Sequence, residues 1–308
     1  MRSGKPRATI VISTRNRVDD LRTTLASIRG QTEPVEVIIL DDGSTDGTDD
    51  MIRRDYPEVR LIRSQKSLGY IVRRNEGARL ATTPFVISLD DDAALTSPGT
   101  VSRTLAEFDH PRIGAVAMPF VNVRQDSMIR CRAPDRDKPW VLEGFIGTAH
   151  ALRRDLFLSL GGYREVLFHQ GEEQDFCIRL LQAGYVVRAG SAAPIHHYQS
   201  PARSRKRMVV YAARNSVLYG WHNVPWMRLP VHLAGSIFRL VQFGIRVRHP
   251  IWVLEGILRG FGVAAKEVQA RRPVSPRTYR LLRFLRRHGA VPLPDIESRL
   301  EPLRTEVI

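Results

Sequence analysis

Two cysteines, Cys131 and Cys177, are all that the 308 residues contain, and they lie far apart with no Cys-x-x-Cys spacing. Neither a disulfide framework nor a zinc site is suggested, and a reducing cytoplasm fits. The start from Met1 to Ala8 is short and polar, with no secretory hydrophobic region after it, so a cytoplasmic location is expected. Long apolar runs are missing too. The most apolar region, Leu229 to Ile245, is shorter than the roughly 20 residues a membrane span requires, and it encloses Arg239. A central arginine costs about 2.5–3.5 kcal/mol on insertion scales, which argues against a transmembrane helix. Gly-x-Gly-x-x-Gly and Gly-x-x-x-x-Gly-Lys-Ser/Thr are both absent, so neither a dinucleotide fold nor a P-loop is offered. Repeats and low-complexity tracts are lacking, and a hydrophobic fraction of 43% makes a folded globular chain the expectation.

What is abundant is positive charge, and it is unevenly placed. The net charge is +15, yet from Arg203 onward there are 20 Lys and Arg against six Asp and Glu, while the preceding part is almost neutral. A neutral body over residues 1–202 and a cationic, partly amphipathic helical region over 203–308 are therefore expected. Such asymmetry points to an anionic partner, nucleic acid or an acidic membrane surface. Nucleic acid is set aside because no recognition module is present. Apolar stretches carrying Trp221 and Trp226 and flanked by Arg228, Arg239 and Arg246 suit a helix lying in the headgroup layer. Each Lys or Arg near an anionic leaflet adds about 1 kcal/mol. A homo-oligomer through the same faces, or simple packing on the body, are the competing uses.

The body alternates strand and helix. Ala8 to Ser13 is β-branched strand material, and Thr14 to Arg17 a polar turn. Helical spacing runs from Asp19 to Gly30, a second strand spans Val35 to Leu40, and a third Val59 to Ile62. A helix from Ile71 to Ala81 leads to a strand starting at Phe85. That order predicts an α/β fold with a largely parallel sheet. Two of the strands end in acidic loops, Asp41-Asp42-Gly43-Ser44-Thr45-Asp46 and Asp90-Asp91-Asp92, at the edge where such sheets bind nucleotides.

Three adjacent carboxylates repel one another, by about 1 kcal/mol per pair at 4 Å in water and about 4 kcal/mol near a protein surface. A divalent, oxygen-preferring cation between them removes that cost, and Asp-x-Asp can offer hard oxygen ligands to Mg²⁺ or Mn²⁺. Further on, Trp140 to Ala149 is apolar and punctuated by glycine, where a backbone can approach a ligand closely. Gly171-Glu172-Glu173-Gln174-Asp175 gathers acids at a helix start, which by itself only complements the helix dipole. Ile195-His196-His197 ends a strand-like stretch.

Taken together and in this order, the segments Ile12 to Arg17, Leu40 to Thr48, Ser88 to Asp92, and Gly171 to Asp175 with Arg179 resemble the inverting glycosyltransferases of family 2, which have a GT-A fold. The resemblance covers roughly residues 7 to 200. It implies that Asp92 faces a metal, with Asp90 or Asp91 nearer ribose and diphosphate. It places Asp42, Ser13 and Arg17, with Thr14 beside them, around the nucleotide, and Arg74 near the donor. Glu173 would deprotonate the acceptor hydroxyl, with Asp175 as its rival or, like Glu172, an acceptor contact. His197, better placed than His196, would complete the metal site with Asp90 and Asp92.

The implied reaction moves a sugar from a UDP-, dTDP- or GDP-sugar to a hydroxyl of a glycan or lipid-linked acceptor in surface polysaccharide or glycolipid synthesis. The expected seat is peripheral, on the cytoplasmic face of the plasma membrane. Two other classes compete. A nucleotidyltransferase would carry a glycine-rich phosphate loop after the first strand, and Ser13 to Arg17 is not one. A non-catalytic scaffold docked on membrane or nucleic acid would hydrolyse no sugar nucleotide in the presence of metal.

Overall fold

The computed structural model describes residues 4–199 and 204–304, so Arg203 and the expected boundary at 202/203 lie outside the described part. In chain order the body comprises β1 (Ala8–Thr14), α1 (Val18–Arg29), β2 (Val35–Asp41), α2 (Thr48–Asp55), β3 (Arg60–Arg63), α3 (Tyr70–Leu80), β4 (Phe85–Leu89) and β5 (Ala93–Ala94). It continues through α4 (Thr100–Ala106), β6 (Ile113–Ala117), β7 (Phe120–Asn122), β8 (Trp140–Leu142), β9 (Ala149–Arg153), α5 (Arg154–Ser159), α6 (Glu172–Gln182), β10 (Val186–Ala189) and β11 (Ile195–His197). After it come α7 (Arg205–Asn223), α8 (Leu229–Arg246), α9 (Pro250–Lys266), α10 (Pro276–His288), β12 (Val291–Pro292) and α11 (Leu293–Ile296).

Nine strands form one sheet in the order β12-β8-β10-β6-β9-β4-β1-β2-β3. The half read from strand–helix alternation is parallel: β1 pairs with β2 and β4, and β2 with β3. The other half is mixed. β9 runs antiparallel between β4 and β6, and β8 antiparallel to β10 and β12. The reason lies in the glycine-punctuated stretch after Trp140, which turns back and sends β9 through the middle of the sheet. Every residue from Ala149 to Leu152 is buried, so β9 carries no period-two polar face to betray a strand.

β4, β1 and β2 stand side by side, which brings the ends of their acidic loops together. A small second sheet, β5-β11-β7, lies against that rim and carries His197 toward Asp92, since His197 pairs with Ala93 in register.

The shift in charge along the chain does not mark a shift in core. β12 extends the main sheet through Val291 opposite Val141, and Tyr279, Leu282, Leu285 and Ile296 share one apolar cluster with Ile10 and Ile12. α7 and α9 cross closely because Gly256 and Gly260 let α9 lie on the α7 backbone, where a Cβ would meet the Val210 and Arg214 carbonyl oxygens. The outer faces of α8 and α9 are apolar and open: Val231 is 74% exposed, Phe238 63%, Ile251 76% and Leu258 63%. No helix among the described residues is long and apolar enough to cross a membrane.

Candidate active site

β4 ends at Leu89, and its three carboxylates diverge. Asp92 turns inward, 1% exposed, toward His197 of β11, and Asp92 Oδ1 lies 3.2 Å from His197 Nε2. Asp90 Oδ2 is 3.8 Å from the same nitrogen. One ligand atom from each of Asp90, Asp92 and His197 falls within 4.8 Å of the others.

The His197 ring is oriented by Asn122, whose Oδ1 lies 2.7 Å from Nδ1. An amide oxygen can only accept, so Nδ1 carries the proton and Nε2 presents a lone pair. That Nε2 is buried and makes no hydrogen bond. A lone pair aimed at carboxylate oxygens is repulsive unless a cation, either a metal ion or a proton on Nε2 itself, stands between them. Two oxygens, one imidazole nitrogen and an outer partner for the imidazole are a donor set that can hold a divalent metal ion.

Asp91 faces away. Thr14 Oγ1 donates to its Oδ2 at 2.9 Å, and Arg17 Nη1 meets its Oδ1 at 2.6 Å and Asp92 Oδ2 at 3.2 Å. Burial pushes the Asp91 carboxyl up to about 7, against the pull of Arg17. The expected donor contact at Asp91 is therefore corrected: it is 5% exposed and anchors Thr14 and Arg17 beneath the site.

Asp42 is drawn inward in the same way. Ser67 Oγ, Leu68 N and Gly69 N donate to it at 2.6, 2.8 and 3.0 Å. Its carboxylate holds the loop before α3 and offers little to a ligand directly. Ser13 sits half-buried at the carboxyl end of β1.

Arg74 of α3 joins the metal-site carboxylates to α6. Its Nη2 bonds Asp90 Oδ1 at 2.6 Å and the Gly147 carbonyl at 3.0 Å, while Nη1 bonds Glu172 Oε1 at 3.2 Å. Glu172 is fully buried and also accepts from Tyr70 OH at 3.0 Å. An acceptor cannot reach it, so the expected acceptor contact is corrected to a clamp on Arg74.

Glu173 is half-buried and lies against Gly147, where a Cβ would collide with its Oε1 and come 3.2 Å from Arg74 Nη1. Only glycine at 147 leaves that carboxylate its place. Burial, opposed by Arg74, raises the pKa of Glu173 above the usual carboxylate value, and raises that of Glu172 further.

Asp175 is not a rival base. It is 1% exposed, and Arg164, Arg179 and Asn223 all donate to its two oxygens. A carboxylate with three donors, two of them cationic, has no vacancy for a hydroxyl. It ties α6 to α7 instead.

Asn122 and Gly147 are the site residues that residue-by-residue reading missed. Gly147 left a trace as one glycine of the punctuated stretch; Asn122 left none, since its role exists only through the pairing of β7 with β11.

Residues 9–161 match the family described as glycosyl transferase family 2. The chain is 28% identical over 277 residues to a pre-mycofactocin glycosyltransferase of Mycobacterium tuberculosis, covering 85% of this chain and 55% of that protein. The chain thus spans about half the length of that relative. It is also 28% identical over 263 residues to an N-acetylglucosaminyl-diphospho-decaprenol L-rhamnosyltransferase of the same organism, covering 70% of this chain and 86% of that protein. Among solved structures, the mannosyltransferase PcManGT of Pyrobaculum calidifontis, in complex with GDP-Man and Mn²⁺, superposes with a TM-score of 0.57. Its identity is 21%, with 92% of this chain and 80% of that one covered. That likeness shows the fold, which is GT-A.

Proposed function

The chain belongs to glycosyl transferase family 2, and on that premise we propose that it moves a sugar, with inversion, from a nucleoside-diphosphate sugar to a hydroxyl of a glycan or lipid-linked acceptor. The observation that carries this reading is the junction of two groups through one arginine: Arg74 holds Asp90 of the Asp90–Asp92–His197 cluster and touches the space beside Gly147 that Glu173 fills.

Glu173 takes the proton of the acceptor hydroxyl. The hydroxyl oxygen attacks the anomeric carbon from the face opposite the leaving group, and the bond to the diphosphate oxygen breaks, its electron pair leaving with the phosphate. A positioned base of this kind contributes roughly 10²–10⁴-fold. The raised pKa of Glu173 suits it to hold the proton it removes. Arg74 fixes Asp90 and the Gly147 carbonyl, so the base and the diphosphate end keep one spacing. Asp90, Asp92 and His197 would hold Mn²⁺ or Mg²⁺, which when bound supplies positive charge for the departing diphosphate. Arg17, 27% exposed beside Asp91 and Asp92, reaches toward the nucleotide along with Ser13.

The relative that acts on a diphospho-decaprenol carrier, and the neighbour solved with GDP-Man and Mn²⁺, support a nucleotide-sugar donor and a lipid-linked acceptor. UDP-, dTDP- and GDP-linked sugars are the candidate donors. The open apolar faces of α8 and α9 and the cationic end of the chain support a peripheral seat on an anionic, cytoplasmic membrane surface, in surface-glycan synthesis. Two copies meeting through those faces would bring like charge together, which favours the membrane.

A thermal-shift panel of UDP, dTDP and GDP with and without Mn²⁺ tests the reading. One nucleotide is expected to raise Tm only when Mn²⁺ is present. No shift with any nucleotide, or shifts indifferent to Mn²⁺, would overturn it.

A further inference from the structure

Away from the sheet rim, α8 and α10 enclose a cleft of about 630 Å³. Arg228, His232, Gly235 and Arg239 line it from α8 and the turn before it; Tyr279, Arg283, Arg286 and Arg287 line it from α10. The spacings i, i+4, i+7, i+11 on one side and i, i+4, i+7, i+8 on the other put each set on one helical face. Five guanidinium groups thus face one space. Among the described residues only Arg286 has a carboxylate partner, Glu143 at 2.6 Å. Tyr279 OH and His232 Nδ1, 2.9 Å apart, add polar groups between the two rows. Burial and the neighbouring arginines push His232 down to about 4, so it stays neutral there and the cations are the arginines.

Four of the five guanidinium groups have no carboxylate partner among the described residues, so the cleft carries a positive potential that attracts an anion, and guanidinium forks match phosphate oxygens bidentately. The wall of the cleft says which anion. Val231, which lines it, begins the exposed apolar stripe that continues through Phe238, Val241 and Ile245. That stripe lies on the α8 face next to the arginines. Charge for a phosphate and surface for acyl chains therefore sit side by side on one helix.

We propose that the α8–α10 cleft is a second binding site, separate from the donor site, for the phosphate-bearing headgroup of a membrane lipid. The inference rests on the peripheral membrane seat argued above and gives it a defined ligand. It accounts for the concentration of arginine on α10, whose other face is buried in the core through Leu281, Leu282 and Leu285.

The test is flotation of the full-length protein with vesicles of phosphatidylcholine alone or with phosphatidic acid. Arg283→Glu/Arg287→Glu is compared with Arg53→Glu/Arg280→Glu, a double reversal of equal charge at exposed positions outside the cleft. Near-surface basic residues are worth about fivefold each, so the cleft pair is expected to lose about 25-fold or more in partitioning onto the phosphatidic acid vesicles, and the control pair less than about fivefold. Both variants should keep the native Tm. Inorganic pyrophosphate should leave the native protein on the vesicles. Equal losses for the two pairs would overturn the cleft assignment while leaving the membrane seat intact. Release by pyrophosphate would overturn the lipid assignment in favour of a soluble phosphate. A native protein that ignores both kinds of vesicle would remove the membrane seat and the inference with it.

Discussion

The two charged regions of this molecule solve the same electrostatic problem differently. At the sheet rim most of the acids are buried and neutralised from within: Asp91 by Arg17, Glu172 by Arg74, Asp175 by Arg164 and Arg179. Between α8 and α10 the arginines are exposed, and water screens what no carboxylate balances. Buried charge must be compensated by the fold, because an uncompensated ion in the interior costs several kcal/mol. The place where compensation stops therefore marks a ligand. In the rim that place is narrow, the gap between His197 Nε2 and the oxygens of Asp90 and Asp92. On the helices it is broad, which suits a headgroup among many.

The contrast can be broken at graded cost. Glu173→Gln removes the one acid left for chemistry and should lower turnover by about 10²–10⁴-fold while nucleoside diphosphate binding, read by thermal shift, survives. Asp175→Ala should do the reverse. It leaves Arg164 and Arg179 without their buried partner and should cost about 3–5 kcal/mol of stability by denaturant titration, with little change in turnover per folded molecule. If Asp175→Ala instead spares stability and abolishes turnover, the inward reading of that residue is wrong.

Gly147→Ala should displace the Glu173 carboxylate by its new methyl group and lower kcat by up to about 10²-fold, with donor KM unchanged. A kcat like that of the native protein would mean that Glu173 has room the structure does not give it. The smallest effect is on pH dependence. Because burial raises Glu173, the base form is lost on acidification at a pH above the ordinary 4.5, so kcat/KM should fall on the acid side with a midpoint above that value. The Glu173→Gln variant should lack that limb.

Much of this was legible in the sequence, for a physical reason. Strands that end in acids at a sheet edge announce themselves through composition, which picked out Asp90 and Asp92; Glu173 and His197 stood out only through the resemblance to family 2. What stayed hidden depends on pairing between distant segments. β9 is uniformly buried and reads as neither strand nor helix, Asn122 acquires its role from a neighbouring strand, and Gly147 from a carboxylate on another helix. Asp42, Glu172 and Asp175 look like Glu173 in the chain. Only their donors, Ser67, Tyr70 and Arg164 among them, separate acids that hold the fold from the half-buried one beside Gly147. The cationic helices were visible as charge, but not the strand β12 that seals them to the sheet.

The proposed chemistry requires His197 and the two aspartates to share one cation. Titration of Mn²⁺ followed by the electron paramagnetic resonance of the free ion measures this directly, on the native protein and on His197→Ala. One site is predicted, weakened about tenfold or more by the substitution, a loss of the size that disturbed ligand shells show. Equal affinity in the two proteins would contradict the shared site.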